Sequence, residues 1–145
     1  MIGLVQRVSE ASVSVNNEII GEIEQGMLVL LGVEKDDGPE QIEKLANKLC
    51  RYRIFSDNDG KMNLNVEQIG GKVLVVSQFT LVADTQKGNR PGFSRGATPE
   101  HGNAIYLQFI ESLRQKGIVV ETGQFGAEMK VALVNDGPAT FQFQV

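Results

Sequence analysis

Close to the C-terminal end, the side chains alternate with period two on both sides of one interruption. Met129, Val131 and Leu133 are separated by Lys130 and Ala132, and Phe141, Phe143 and Val145 by Gln142 and Gln144. That alternation marks half-buried strands, so both runs must cover a core with one face. Between them stands "NDGPAT", Asn135 to Thr140. It puts a proline, which has no N–H for a ladder, where the chain should be pairing. Asn-Asp-Gly is hairpin-turn chemistry, so local sequence alone reads as a tight turn with Pro138 just past it.

The rest of the chain supplies more strands and two helices. In the opening "MIGLVQRVSEASVSVNNEIIGEIEQGMLVLLGVEK", Val13 and Val15 alternate with Ser12 and Ser14, and Asn16-Asn17 suits a tight hairpin before Ile19 to Ile23. "MLVLLGV" is apolar on both faces and reads as an interior strand. The period then changes. Ile42, Leu45, Ala46, Leu49 and Cys50 fall at helical spacing behind an Asp/Gly start with Pro39 near the first helical position. "KVLVVSQFTLVAD" is the strongest strand signal. A second helix begins with Thr98 as N-cap and Pro99 at its first position, presents Tyr106, Phe109, Ile110 and Leu113 on one face, and ends at Gly117. Many strands with two separated helices predict a single α+β domain spanning 1–145, with an antiparallel-rich, barrel-like sheet.

Composition narrows the function. A chain of 145 residues, 41% hydrophobic and 22% charged, is sized for one globular core. Its longest apolar run, Met27 to Leu31, is too short to span a bilayer, and the N-terminus has no signal-peptide pattern. No membrane association is expected. The single cysteine, Cys50, cannot form an internal disulfide, which fits a reducing, cytoplasmic setting, and its place on the first helix makes it a core residue. With one histidine, His101, beside that one cysteine, the chain cannot build a His/Cys metal cluster, and a Ser-His-Asp triad would rest wholly on His101. His101 itself reads as a surface or capping residue in the second helix's first turn. The net charge of -4 argues against a protein that coats nucleic acid with a broad basic surface, though not against one that grips a single RNA end.

Two segments carry chemistry. "SQFTL" sets Ser77, Gln78 and Thr80 at the end of a buried strand where the pattern calls for apolar residues; edge polarity or capping accounts for this equally well. In "QKGNRPGFSRG", Lys87, Arg90 and Arg95 gather without a neighbouring acid among glycines and Phe93, a composition suited to phosphate. A charged loop is also, on its own, simply solvated. Taken together, "SQFTL" continuing through "ADTQKGNRPGF", "GQFGAEMKVALVNDGP" and "NDGPAT" resemble the D-aminoacyl-tRNA deacylases, and the resemblance runs from "MIGLVQRVSEASV" to the last strand. Ala139 departs from the family pattern, which more often has valine there; the smaller side chain is expected to loosen packing beside the motif.

The resemblance implies hydrolysis of the ester joining a D-amino acid, or mischarged glycine, to the terminal adenosine of tRNA, without a cofactor or metal. It implies a homodimer with composite sites, in which a cis Gly137-Pro138 bond enters the other subunit's site and its two carbonyls occupy the space of an L side chain. Ser77, Gln78, Phe79 and Thr80 are then the catalytic motif, with the Phe79 and Thr80 N–H groups and the Gln78 amide as donors to the oxyanion and Phe79 packing on adenosine or in the core. Met129, Lys87, Arg90 and Arg95 join Gly137 and Pro138 in holding the aminoacylated 3′ end. Thr80 has no histidine or lysine in its motif to activate it, which favours help from the ribose 2′-hydroxyl. The alternative is a non-catalytic module that binds RNA 3′ ends or nucleotides.

Overall fold

A computed structural model describes all residues 1–145. The first strand, β1 (Ile2–Val15), organises the sheet. One of its edges pairs antiparallel with β8 (Lys130–Gln144) along nearly its whole length. The other edge is shared: Ile2 to Val8 pair with β3 (Gly26–Gly32), and Ala11 to Val15 with β2 (Glu18–Ile23). Asn16 and Asn17 turn the β1–β2 hairpin with φ of 50° and 65°, the left-handed pair that a two-residue turn requires.

Beyond β3 the sheet becomes mixed. β3 pairs parallel with β6 (Lys72–Ser77), and β6 pairs parallel with β7 (Val120–Thr122). The three antiparallel pairs that β1 makes still outnumber the two parallel ones, so the sheet is antiparallel-rich, as the sequence predicts. Helix α1 (Pro39–Arg51), with the small hairpin of β4 (Phe55–Ser56) and β5 (Met62–Leu64), lies between β3 and β6, and α2 (Pro99–Gln115) lies between β6 and β7. Such long crossovers return the chain in the same direction. Burial of Val73 to Val76 on both faces of β6 fits an interior parallel strand. β2 curls toward β7 and nearly closes the barrel; a Cβ on Gly21 would lie 2.5 Å from the Thr122 carbonyl, so only glycine permits the approach.

Both helices start as their sequences predict. Gln41 Oε1 accepts from the Gly38 N–H at 2.9 Å ahead of Pro39, and Thr98 Oγ1 accepts from the His101 N–H at 3.2 Å around Pro99. Their apolar faces cover one side of the sheet, and a smaller cluster of Val8, Ala11, Val13, Ile23, Leu28, Leu74 and Val76 fills the barrel. Cys50 packs half-buried against the larger core, and burial raises its thiol pKa, as suits a packing residue. The Met1 ammonium is fully buried against Asp37 Oδ1 at 2.8 Å, while Asp37 Oδ2 accepts from the Glu34 N–H at 2.7 Å. His101 Nε2 meets the Asp37 carbonyl at 2.8 Å, so this histidine ties α2 to the β3–α1 loop.

The expected turn at "NDGPAT" is not a turn. β8 continues in one direction through it and bulges, with register slips opposite Gln6, Val8 and Glu10. Asn135 spans the bulge from within: its Oδ1 accepts from the Ala139 N–H at 2.8 Å and its Nδ2 donates to Thr140 Oγ1 at 2.9 Å. A side chain therefore supplies the bonds the ladder lacks there.

Tyr106 gives the fold a measurable pH dependence. Its hydroxyl donates to the Val75 carbonyl at 2.9 Å, and burial, opposed by the nearby Gly123 N–H and Arg114, pushes the phenol up to about 12. The stability it contributes is complete below pH 10 and is lost as pH rises through 12. Unfolding free energies from urea titration of Tyr106→Phe and the parent chain should differ by about 1 kcal/mol near neutral pH and converge above that window. A constant difference from pH 9 to 12 would contradict it.

Candidate active site

β6 ends at Ser77, six residues into the thirteen-residue run from Lys72 to Asp84 that reads as one strand in the sequence. Gln78 still donates its N–H to the Leu31 carbonyl at 2.8 Å, and then the chain coils into a single 3-10 turn, Phe79–Val82. The Leu81 N–H closes on the Gln78 carbonyl and the Ala83 N–H on the Thr80 carbonyl, both at 3.2 Å. The continuing apolar pattern at Leu81 and Val82 hid this change, because Val82 turns into the core while Phe79 and Thr80 face out. As the first residues of the turn, Phe79 and Thr80 have no intrahelical carbonyl behind their N–H groups.

The turn makes a ridge between two cavities. One, of about 290 Å³, lies between Ser77 to Phe79 and the start of α2 at Thr98, Pro99 and Gly102, with Phe125 and Gly126 opposite. The other, of about 240 Å³, shares Ser77 to Phe79 and Gly126 and is completed by Met129 and Val131. Met129, expected among the substrate residues, is therefore brought to the ridge. Phe125, Gly126 and Gly102 were not singled out from sequence. Gly126 has φ +77°, a conformation glycine adopts without strain, and a Cβ on Gly102 would stand 3.2 Å from the Phe125 ring, so Gly102 makes room for that ring beside the first cavity. The readable signal was the glycine pair flanking Phe125 in "GQFG".

On the ridge, Gln78 Nε2 donates to Thr80 Oγ1 at 2.6 Å, and no histidine, lysine or carboxylate bonds that hydroxyl. His101 lines neither cavity. Phe79 is 67% exposed, an unusual position for phenylalanine in a folded domain, and packs against Phe93 with ring centroids 5.1 Å apart and planes tilted by 45°. Phe93 belongs to the basic loop, whose base is closed by paired bonds between Asp84 and Gly92 at 2.7 and 3.0 Å. Lys87 and Arg90 stand exposed beyond that closure. Arg95 folds back, its Nη2 reaching the Val82 carbonyl at 3.4 Å, so it also supports the ridge. None of these three cations lines either cavity.

Gly137 and Pro138 are exposed on the β8 bulge, joined by a cis peptide bond, and they too line neither cavity of their own chain. Arg7 braces the bulge from the neighbouring strand. Its Nε donates to the Asp136 carbonyl at 2.8 Å and its Nη1 to the Ile54 carbonyl at 2.7 Å. Ala139 is buried beneath the bulge.

A ridge whose first N–H groups have no intrahelical acceptor, with an amide-held hydroxyl and cavities on either side, has the kind of placed donors that acyl chemistry uses. Comparison with known proteins makes this specific. The family model described as D-Tyr-tRNA(Tyr) deacylase matches residues 4–144. Proteins named D-aminoacyl-tRNA deacylase from Alteromonas mediterranea and Shewanella frigidimarina are 76% and 62% identical, in each case over the whole of both chains. The solved structure of the c-Myc DNA Unwinding Element Binding Protein superposes with a TM-score of 0.95 at 38% identity, covering 100% of this chain and 99% of that one. The chain belongs to the D-Tyr-tRNA(Tyr) deacylase family, and with it to the hydrolases that act on ester bonds.

Gly137 offers a direct test of how the bulge is held. Its φ is +139°, and an added Cβ would lie 2.7 Å from Arg7 Nη2. Gly137→Ala should displace the guanidinium and lower stability by about 1–3 kcal/mol. Thermal unfolding should show the same loss reduced in an Arg7→Ala background, because the two changes share one contact. Full additivity would refute the shared contact.

Proposed function

We propose that this chain hydrolyses the ester between a D-amino acid and the terminal adenosine of tRNA, and glycine mischarged on alanine tRNA, as a homodimer. The carrying observation is that the Gly137-Pro138 bulge is braced and exposed, yet distant in role from the ridge of its own chain. In the dimer, each bulge meets the partner's ridge. The Gly137 and Pro138 carbonyls then fill the volume an L side chain needs, and the selection tolerates many D side chains because it uses main chain alone. Glycine has no side chain for that wall to exclude.

Chemistry at the ridge is addition of water to the ester carbonyl and loss of the ribose 3′-oxygen, which takes up a proton. The Phe79 and Thr80 N–H groups, with the Gln78 amide beside them, hold the developing oxyanion. The 2′-hydroxyl of the terminal adenosine assists the attacking water. Thr80, held by Gln78 at 2.6 Å and without a base, orients rather than attacks. Phe79 and Phe93 present an aromatic face for the adenine, and Lys87, Arg90 and Arg95 meet the acceptor-end phosphates. The reaction is a chiral quality-control step of translation in the cytoplasm, where charged tRNA is found.

The name of the 38% identical relative favours a second reading, nucleic-acid binding without catalysis. Purified, chelator-treated protein should release D-amino acid from D-aminoacyl-tRNA and leave the L ester intact; binding of tRNA without release would establish the second reading. Thr80→Ala should keep its rate within about tenfold, whereas loss of a true nucleophile costs on the order of 10⁶-fold. Mixed Gly137→Ala and Gln78→Ala proteins should regain part of the activity that each lacks, through heterodimers with one intact composite site. No recovery after exchange of subunits would remove the composite site.

A further inference from the structure

Arg7 connects the bulge to a second feature. The Ile54 carbonyl that it holds belongs to the wall of an open groove of about 770 Å³, formed by the C-terminal half of α1, the Tyr52–Ile54 segment, Met62 and Phe141. Lys44, Lys48, Arg51 and Arg53 line this groove, and no carboxylate does. That is unexpected in a chain with 18 acidic and 14 basic residues. Negative charge collects elsewhere: Glu10, Glu22 and Glu24, with the single cation Lys72, line a cavity of about 650 Å³ beside β2 and β8.

The fold accounts for these cations only in part. Lys48 and Arg51 complement the C-terminal end of α1, but Lys44 and Arg53 lie outside its last turn. Lys44 pairs at 2.8 Å with Glu40 across an exposed helix face, a bond that yields readily to another anion. Arg53 uses one N–H on Asn63 Oδ1 at 3.2 Å. The Lys48 ammonium rests 5.3 Å above the ring of Tyr52, which is 38% exposed. From Lys44 to Arg51 the row extends about 10 Å along the helix.

We propose that this groove binds the sugar-phosphate backbone of the tRNA beyond its 3′ end. The inference rests on the reading that charged tRNA is the substrate. Flexible cations in a row beside an exposed aromatic hold a backbone without reading bases, which suits an enzyme acting on many tRNAs. Placement follows from Arg7. Because it fixes the groove wall and the bulge together, the groove of one subunit lies beside the partner's ridge, and the RNA crosses from one subunit to the other.

The test uses Lys48→Ala/Arg51→Ala in the full chain. Uncharged tRNA is titrated by fluorescence anisotropy over a salt series, and hydrolysis of D-aminoacyl-tRNA is compared with that of D-aminoacyl-adenosine, which has no phosphate. The variant should bind tRNA roughly tenfold more weakly at low salt, with a salt slope smaller in magnitude by up to about two units. KM for the tRNA ester should rise in step, with kcat and turnover of the adenosine ester retained. Unchanged tRNA affinity and slope overturn the proposal, as does an equal loss on both esters. A change of mass by light scattering also overturns it, by assigning the groove to contact between copies. If the parent chain binds tRNA in this salt-dependent, Lys48- and Arg51-dependent way but cleaves neither ester, the groove stands and the deacylase reading fails.

Discussion

The rest of the structure depends on the pairing of β1 with β8. β1 is the only strand bonded along both edges to three partners, so its register sets those of β2, β3 and β8 together. A slip of one residue would turn Val5, Val8, Ala11 and Val13 out of the core. Within this pairing, Gln6 faces Thr140 and Val8 faces Asn135, so the four residues Asp136 to Ala139 stand against Arg7 alone. The excess chain leaves the ladder as the bulge, and the single residue opposite it provides the brace. Only a forked guanidinium suits that task, since it must reach two carbonyls in different directions; a lysine at this position offers one centre for both.

The ridge gains its precision from rigid neighbours. It emerges where β6 leaves the sheet, still bonded to Leu31, and α2 is fastened above it by the Tyr106 hydroxyl on Val75 and the His101 ring on the Asp37 carbonyl. Asp37 is itself fixed by the Met1 ammonium and the Glu34 N–H. The first cavity is thus bounded on one side by a strand end and on another by a helix start, elements that hold a geometry better than free loops do.

Strong periodicity made much of this legible from sequence. The faces of α1 and α2, the Pro39 and Thr98 starts, the Asn16-Asn17 hairpin and the interior character of β3 all appear as read. The end of β6 did not, because Leu81 and Val82 extend the apolar pattern after the backbone has already coiled. Parallel pairing was also hidden: it depends on where the crossovers land, and local propensity carries no record of that. In the site, "SQFTL" and "NDGPAT" were found through family resemblance, whereas Phe125 and Gly102 come from distant segments and carry no polar signature. The basic groove was missed for a different reason. Lysines on the outer face of an amphipathic helix read as solvation, and only the fold shows that Arg53 joins them with no acid in the wall.

Charge placement then bears on how a net acidic protein handles a polyanion. A uniformly basic surface would hold tRNA in many orientations, most of them unproductive, and would slow release after hydrolysis. If the groove beside α1 holds tRNA as proposed, the three glutamates of the cavity beside β2 and β8 disfavour the backbone there, and a bound RNA is oriented before its 3′ end reaches the ridge. Within the proposed dimer, Arg7 keeps the groove and the chiral wall at a constant separation, because one side chain holds carbonyls of both. Grip on the RNA and exclusion of the L side chain are then set by the same strand pairing, and a shift in the β1–β8 register would disturb both together.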